Sequence, residues 1–143
     1  MSYLKIINDE DLSRILNNTR RVAVVGMSPK PSRPSNQVAA YLMAAGFEVI
    51  PVNPGQTAIM GLKCYPDLES IPGRVDIVDV FRRTSEVPAI VDSTLKIKAR
   101  ILWLQLGIIH AEAALRAQAA GLIVIMNRCL KVEHQRLKDS GLL

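Results

Sequence analysis

Two rhythms of apolar and polar positions alternate along this chain. Short runs rich in valine and isoleucine read as buried strands: RVAVVG (21–26), FEVIPV (47–52), VDIVDVF (75–81), RILWLQLG (100–107) and LIVIM (122–126). Between them the apolar positions recur every third or fourth residue. Leu12, Ile15 and Leu16 share one face of a short helix that Asn8 or Asp9 can cap and that runs to about Asn17. Val38, Tyr41, Leu42 and Ala45 mark a second helix, with Ser35 as its expected N-cap and Gly46 just past its end. Val87, Ile90, Val91, Thr94 and Leu95 give the cleanest helical stripe. The alanine-rich stretch from Glu112 to Ala120 suits a helix packed close to a sheet, and Gly121 can end it. A polar helix from about Val132 to Lys138 closes the pattern. GLKCYPDL (61–68) is expected as a short edge strand broken by Pro66.

Strands that alternate with helices of this length form right-handed βαβ units around a parallel sheet. The expectation is therefore an α/β, Rossmann-like, doubly wound parallel sheet of five or six strands in three layers. Its first strand should lie in the interior. The length fits a single domain, 1–143, in which residues 1–20 form an N-terminal helical extension.

Composition narrows the partners. Hydrophobic residues make up 49% of the chain, which argues against disorder, and aromatics only 4%, so valine, isoleucine, leucine and alanine must build the core. The net charge of +5 permits an anionic ligand. Like charges do not gather into long runs, and aromatics are not interleaved with the basic residues, so nucleic acid is not an expected partner. Apolar runs are too short for a membrane span, and the first residues lack the apolar stretch and cleavage site of a signal peptide. The two cysteines, Cys64 and Cys129, lie far apart and read as reduced thiols of a cytoplasmic protein.

In a doubly wound sheet, ligands bind outside the carboxyl ends of the strands, where the strand order reverses. Those ends carry Gly26, Met27 and Ser28; Asn53 and Pro54; Phe81, Arg82 and Arg83; Gln105, Leu106 and Gly107; and Asn127, Arg128 and Cys129. The loop VGMSPKPSRPSNQ (25–37) adds Lys30, Arg33, Pro34 and Ser35. Gly26 allows a tight turn and close approach to a ligand. The helix that follows offers an anion its free N–H groups and its dipole, and the Arg33 fork is placed for a phosphate. Pro29, Pro31 and Pro34 stiffen the loop before any ligand arrives. A nicotinamide dinucleotide suits this chain poorly. GxGxxG is missing after the first strand, and the second strand ends in PVNPG without an acid for a ribose hydroxyl. HExxH, GxSxG and GxxxxGK[ST] are absent, and His110 reads as a cap or surface residue.

Five blocks in order, VAVVGMSPKPSRPS, VIPVNP, VDIVDVFRR, WLQLG and MNRCLKVEH, resemble the small stand-alone CoA-binding protein family. Its fold is similar to the nucleotide-binding domain of the succinyl-CoA synthetase α-subunit. The resemblance runs from about Val22 to Leu137 and implies that coenzyme A, or an acyl-CoA, lies along the strand ends. It puts the adenine and phosphorylated ribose near Ser28, Arg33, Asn53 and Pro54. The pyrophosphate then meets Met27, Ser28 and the helix at Ser35. The pantetheine arm passes Phe81, Arg82 and Gln105 towards Arg128 and Cys129. The family usually carries an aspartate where this chain has Asn127, a carboxylate that this protein lacks. The synthetases depend on further domains, one with a phosphorylated histidine, for which this sequence has no room. The resemblance thus favours a carrier, sensor or regulatory module without chemistry of its own. The alternative is an enzyme, either a nicotinamide-dependent oxidoreductase or a CoA-linked acyl transferase with Cys129 as nucleophile. A protein partner and a homo-oligomer both stay open.

Overall fold

Strand β1 (Arg21–Val25) runs through the interior of a five-stranded sheet in a computed structural model that describes residues 3–143. Around it, in chain order, come α1 (Asp9–Asn17), α2 (Pro34–Ala44), β2 (Glu48–Val52), β3 (Ala58–Ile59), β4 (Leu62–Lys63), β5 (Ile77–Val80), α3 (Val87–Lys96), β6 (Ile101–Leu104), α4 (Ala111–Ala119), β7 (Ile123–Met126) and α5 (Leu130–Asp139). The main sheet has the order β2-β1-β5-β6-β7, and every pairing in it is parallel. This is the expected doubly wound α/β architecture.

Each sheet face has its own core. Val22, Val24, Ile77, Ile101, Trp103 and Ile125 point towards α1, α2 and α5 and meet Leu12, Leu42, Leu130 and Leu137. Ala23, Val25, Val78, Val80, Leu102, Leu104 and Val124 point the other way, towards α3 and α4. Alternation along a strand sends neighbours to opposite faces, and both faces are apolar, so the strand sequences read as nearly unbroken hydrophobic runs. Ala113, Ala114 and Ala117 are buried on α4, where small side chains let the helix approach the sheet. Asn8 caps α1 by accepting the Asp11 N–H at 2.8 Å, and His110 caps α4 by accepting the Ala113 N–H at 3.1 Å.

The expected edge strand at 61–68 takes another form. β3 and β4 make a two-residue hairpin whose turn residues, Met60 and Gly61, have φ of 54° and 75°, the mirror-image turn that matches strand twist. Beyond it Tyr65 makes one parallel bridge to Val52. The Asn53 N–H donates to the Tyr65 carbonyl at 2.9 Å, and the Tyr65 N–H to the Pro51 carbonyl at 3.0 Å. Pro51 has no N–H to give, and its position on an edge strand makes that harmless. At the opposite margin the segment 3–7 runs beside β7, with Leu4 packed on one core and Ile7 on the other. Gln118 brackets this strap, accepting from the Lys5 N–H at 2.8 Å and donating to the Tyr3 carbonyl at 3.0 Å.

The entry into β1 and β5 is pinned by one carboxylate. Asp76 Oδ2 accepts the backbone N–H groups of Arg20 and Arg21 at 3.0 and 2.9 Å, and Oδ1 pairs with Arg74 at 3.1 Å. Burial alone would raise the Asp76 pKa, but these bonds outweigh it and hold the carboxyl below its ordinary range. A carboxyl lowered on folding contributes its stability above the unfolded value and loses it as the pH falls through the folded one. Asp76→Asn is therefore expected to cost about 1.5–3 kcal/mol at neutral pH. The gap from the unmodified protein should shrink below about pH 3. Urea melts of both proteins at the two pH values check this, and a gap that stays constant would refute it.

Candidate functional site

All five parallel strands end on one rim, and the loops there are tied to one another. Gly26 has a φ of +83°, and its N–H donates to the Val52 carbonyl at 2.8 Å. A Cβ at this position would stand 2.5 Å from the Phe81 carbonyl oxygen and 2.7 Å from Arg82 Cδ. The close approach that needs this glycine is thus between the loops after β1 and β5. Next to it, Met27 is buried, and its carbonyl accepts from Asn53 Nδ2 at 3.0 Å. Asn53 Oδ1 accepts the Gly55 N–H at 2.8 Å, so one side chain joins the loops after β1 and β2.

The proline-rich loop is braced from within. The Ser28 N–H donates to Ser35 Oγ at 2.9 Å, Asn36 Nδ2 to the Ser28 carbonyl at 2.9 Å, and the Lys30 N–H to Ser28 Oγ at 3.1 Å. Arg33, not Ser35, takes the N-cap position of α2, and Pro34 fills the first helical position, where a missing N–H costs nothing. Ser35 instead sits inside the first turn with its hydroxyl turned back into the loop.

The cations on the rim fall into two groups. Arg82 donates to Glu86 Oε1 at 2.6 Å, and Arg83 stands 3.6 Å from Oε2, so that Arg82 above all holds the Glu86 carboxyl below its ordinary range. Arg128 pairs with Glu133, which also takes Arg136 at 3.1 Å, and Arg136 grips Asp9 through two bonds of 2.7 and 2.8 Å. Lys30 and Arg33 are exposed, and among the described residues no carboxylate pairs with either. The opening loop thus offers an anion positive charge that no carboxylate of the described residues engages.

At the centre of the rim lies a group that the sequence reading did not single out. Asp79, on β5, is fully buried between Val24 and Trp103 of the neighbouring strands. Its Oδ1 accepts from Gln105 Nε2 at 2.6 Å, and its Oδ2 has no partner among the described residues. Burial pushes its pKa up to about 7, against the opposing hydrogen bond from Gln105. The signal was visible in VDIVDV, where an acid interrupts a run that must be buried. Beyond β7, Asn127 adopts the left-handed region at φ 61°, and its Oδ1 accepts the Gly107 N–H at 2.8 Å. The Arg128 carbonyl accepts the Trp103 indole N–H at 2.8 Å, and Cys129, half-buried, takes the N-cap position of α5.

A cleft of about 380 Å³ opens where the strand order turns, between the loops after β1, β2 and β5. Of the residues expected from the sequence, Gly26, Pro54 and Arg82 line it. Its apolar floor adds Leu68 and Ile90, and Asp67, Ser85 and Glu86 supply polar groups that no motif had marked. Gln105, Asn127, Arg128 and Cys129 stand along the same rim but do not line this cleft. Among the described residues no cluster of His, Cys, Asp and Glu is placed to hold a metal ion, and no helix is long and apolar enough to cross a membrane.

Comparison with known proteins gives a consistent answer. The family model described as a CoA binding domain matches residues 20–135. The protein YneT of Bacillus subtilis, described as uncharacterized, is 39% identical over 124 residues, covering 87% of this chain and 92% of its own. A hypothetical protein from Pyrococcus horikoshii superposes with a TM-score of 0.90 at 38% identity, over 96% of this chain and 99% of that one. A dinucleotide-forming acetyl-coenzyme A synthetase 1 from Ca. Korarchaeum cryptofilum superposes with a TM-score of 0.70 at 29% identity, over 82% of this chain but 28% of its own.

Two outcomes follow from the geometry. Gly26→Ala is expected to destabilise the fold by at least about 1–3 kcal/mol through backbone strain, before the collision with Phe81 is counted. Gly55→Ala, whose Cβ would meet nothing nearer than 3.4 Å, should be tolerated. Chemical denaturation separates the pair, and equal stabilities would show the loops free to part. Cys129 is half-buried, whereas Cys64 is buried and its thiol pushed up by that burial. Iodoacetamide should therefore label Cys129 first, as read by peptide mapping, and equal labelling would contradict this.

Proposed function

The chain belongs to the CoA binding domain family, and from that premise we propose that it binds coenzyme A or an acyl-CoA along the strand-end rim, as a carrier, sensor or regulatory module. The observation that carries the reading is the cleft at the turn of the strand order, next to a braced loop whose two cations have no carboxylate partner among the described residues. The adenine enters the apolar cleft beside Pro54, Leu68 and Ile90. The 3′-phosphate of the ribose meets Lys30 and Arg33. The pyrophosphate faces Met27, Ser28 and the first turn of α2, at Pro34 and Ser35, where the helix dipole favours an anion. The pantetheine arm runs past Phe81, Arg82 and Gln105 towards Asn127, Arg128 and Cys129.

Several features support this arrangement. The hydrogen bonds among Ser28, Lys30, Ser35 and Asn36 fix the loop beforehand, which reduces the ordering cost of binding. Asn53 directs its side chain to Met27 and Gly55, and the end of β2 carries no carboxylate for a nicotinamide dinucleotide ribose. The Korarchaeum protein, named as an acetyl-coenzyme A synthetase, carries a domain of this shape within a longer chain. Two free cysteines fit a cytoplasmic setting. A second reading, acyl transfer through Cys129, has one observation in its favour: a half-buried thiol at the N-cap position of α5, on the strand-end rim.

CoA differs from dephospho-CoA by its 3′-phosphate, and a hydrogen bond to a charged group contributes about 1.5–3 kcal/mol. CoA is therefore expected to bind at least roughly tenfold more tightly than dephospho-CoA. Arg33→Ala should erase much of the difference, and added salt should narrow it. Calorimetry with both ligands on both proteins tests this. Equal affinities in the unmodified protein would remove the phosphate role of the loop, and no binding of either ligand would remove the CoA reading.

A further inference from the structure

Asp79 is a buried acid with half its hydrogen-bonding capacity unused, set just below the rim. It stands one residue before the end of β5, and Gln105 one residue past the end of β6, on the same face. The Gln105 amide thus lies between the carboxyl and the strand ends. Its Nε2 turns inward to Asp79 Oδ1 at 2.6 Å. Its Oε1 takes no hydrogen bond from the described residues and is not sealed from solvent.

We propose that Asp79 is a positioning residue for the rim: whether its carboxyl carries a proton decides whether Gln105 shows the rim a carbonyl oxygen or an amide N–H. An ionised carboxylate can only accept, so the amide must turn its NH₂ inward and its oxygen outward, as observed. A protonated carboxyl can donate its O–H to Gln105 Oε1. The amide then turns over, and its NH₂ faces outward. The proton is taken from solvent or returned to it, and no other group changes. Oδ2 makes the two states comparable in energy, because an anionic oxygen without a donor is costly in an apolar layer. Accordingly the pKa lies near the middle of the neutral range, at about 7.

No other charge drives this titration. The flanking residues on β1 and β6 are Val24 and Trp103. On the helices over this face, the titratable groups turned inward are Tyr41 on α2 and Glu133 and His134 on α5, with Cys129 just ahead of α5. Tyr41 and His134 are bonded to each other at 2.7 Å, and Glu133 is held by Arg128 and Arg136. The charged residues of α1, Asp9, Glu10, Asp11 and Arg14, lie towards solvent, as do Lys131, Arg136, Lys138 and Asp139 of α5. Burial and the Gln105 bond alone set the Asp79 pKa.

The CoA reading enters only through what the rim receives, so the pair is first tested on ligand-free protein. In a nuclear magnetic resonance titration, the Asp79 carboxyl carbon is expected to titrate within about one unit of pH 7. The Gln105 side-chain amide nitrogen should shift with the same midpoint, and Asp79→Asn, which keeps the shape and removes the titration, should flatten the Gln105 response. In calorimetry from pH 6 to 8, the CoA affinity of the unmodified protein should change at least about threefold more than that of Asp79→Asn, in which the ligand phosphate still titrates. An Asp79 carboxyl that keeps one protonation state from pH 5 to 9, or a Gln105 amide that ignores its titration, overturns the inference. So do identical CoA pH profiles in the two proteins. Failure of CoA to bind either protein at any pH defeats the CoA reading alone, and the resonances still decide the pair.

Discussion

A parallel sheet covered on both faces has nowhere to meet a ligand except at its ends, and the rest of this molecule follows from that constraint. Buried strand positions are apolar apart from Asp79, so most polar chemistry is displaced to the loops beyond the carboxyl ends. β1 lies between β2 and β5. Its outgoing connection passes through α2 over one face, while β5 leaves through α3 over the other. The two loops diverge, and the cleft opens where they part. Gly26 marks how tightly the parting is controlled, because the backbone at Phe81 already occupies the space of a side chain.

Electrostatics on the rim sort by what is already engaged. Arg82 and Arg128 are each committed to a glutamate one or two turns of chain away, and their role is to shape loops as much as to attract anions. Lys30 and Arg33 hold no such partner among the described residues, and the backbone that carries them is braced by its own serines and an asparagine. A fixed loop with free charges is pre-organised for a phosphate; a mobile loop with paired charges is not.

The sequence disclosed the strands and helices because burial on two faces leaves an unmistakable apolar run and because Val87, Val91 and Thr94 keep strict helical spacing. The cap role of His110 was readable for the same local reason. Other features depended on contacts between distant segments. Ser35 has the chemistry of an N-cap, but Pro34 ahead of it already suits the first helical position, and the hydroxyl serves Ser28 instead. The stretch 61–68 has strand-like residues, yet a turn at Met60 and Gly61 pairs its start with Ala58–Ile59, leaving Tyr65 to make the bridge to β2. Gly26, Pro54 and Arg82 were legible as cleft residues from their place after strands, whereas Leu68, Ser85 and Glu86 reach the cleft from segments with no motif. Asp79 stood in plain sight, but its partner lies 26 residues away, just past the end of the neighbouring strand.

The strap at 3–7 has a bearing on the life of the molecule in a crowded solution. An outermost strand carries backbone groups that will accept any extended chain, and uncovered strands of this kind nucleate intermolecular sheets. Tyr65 blunts one margin of the sheet at β2, and the strap with its Gln118 bracket screens the other at β7. The bracket is a single side chain, far lighter than the core it protects. Loosening it would leave the folding free energy nearly intact while giving neighbouring chains a template, so that the first symptom of damage at Gln118 would be aggregation of protein that is still folded.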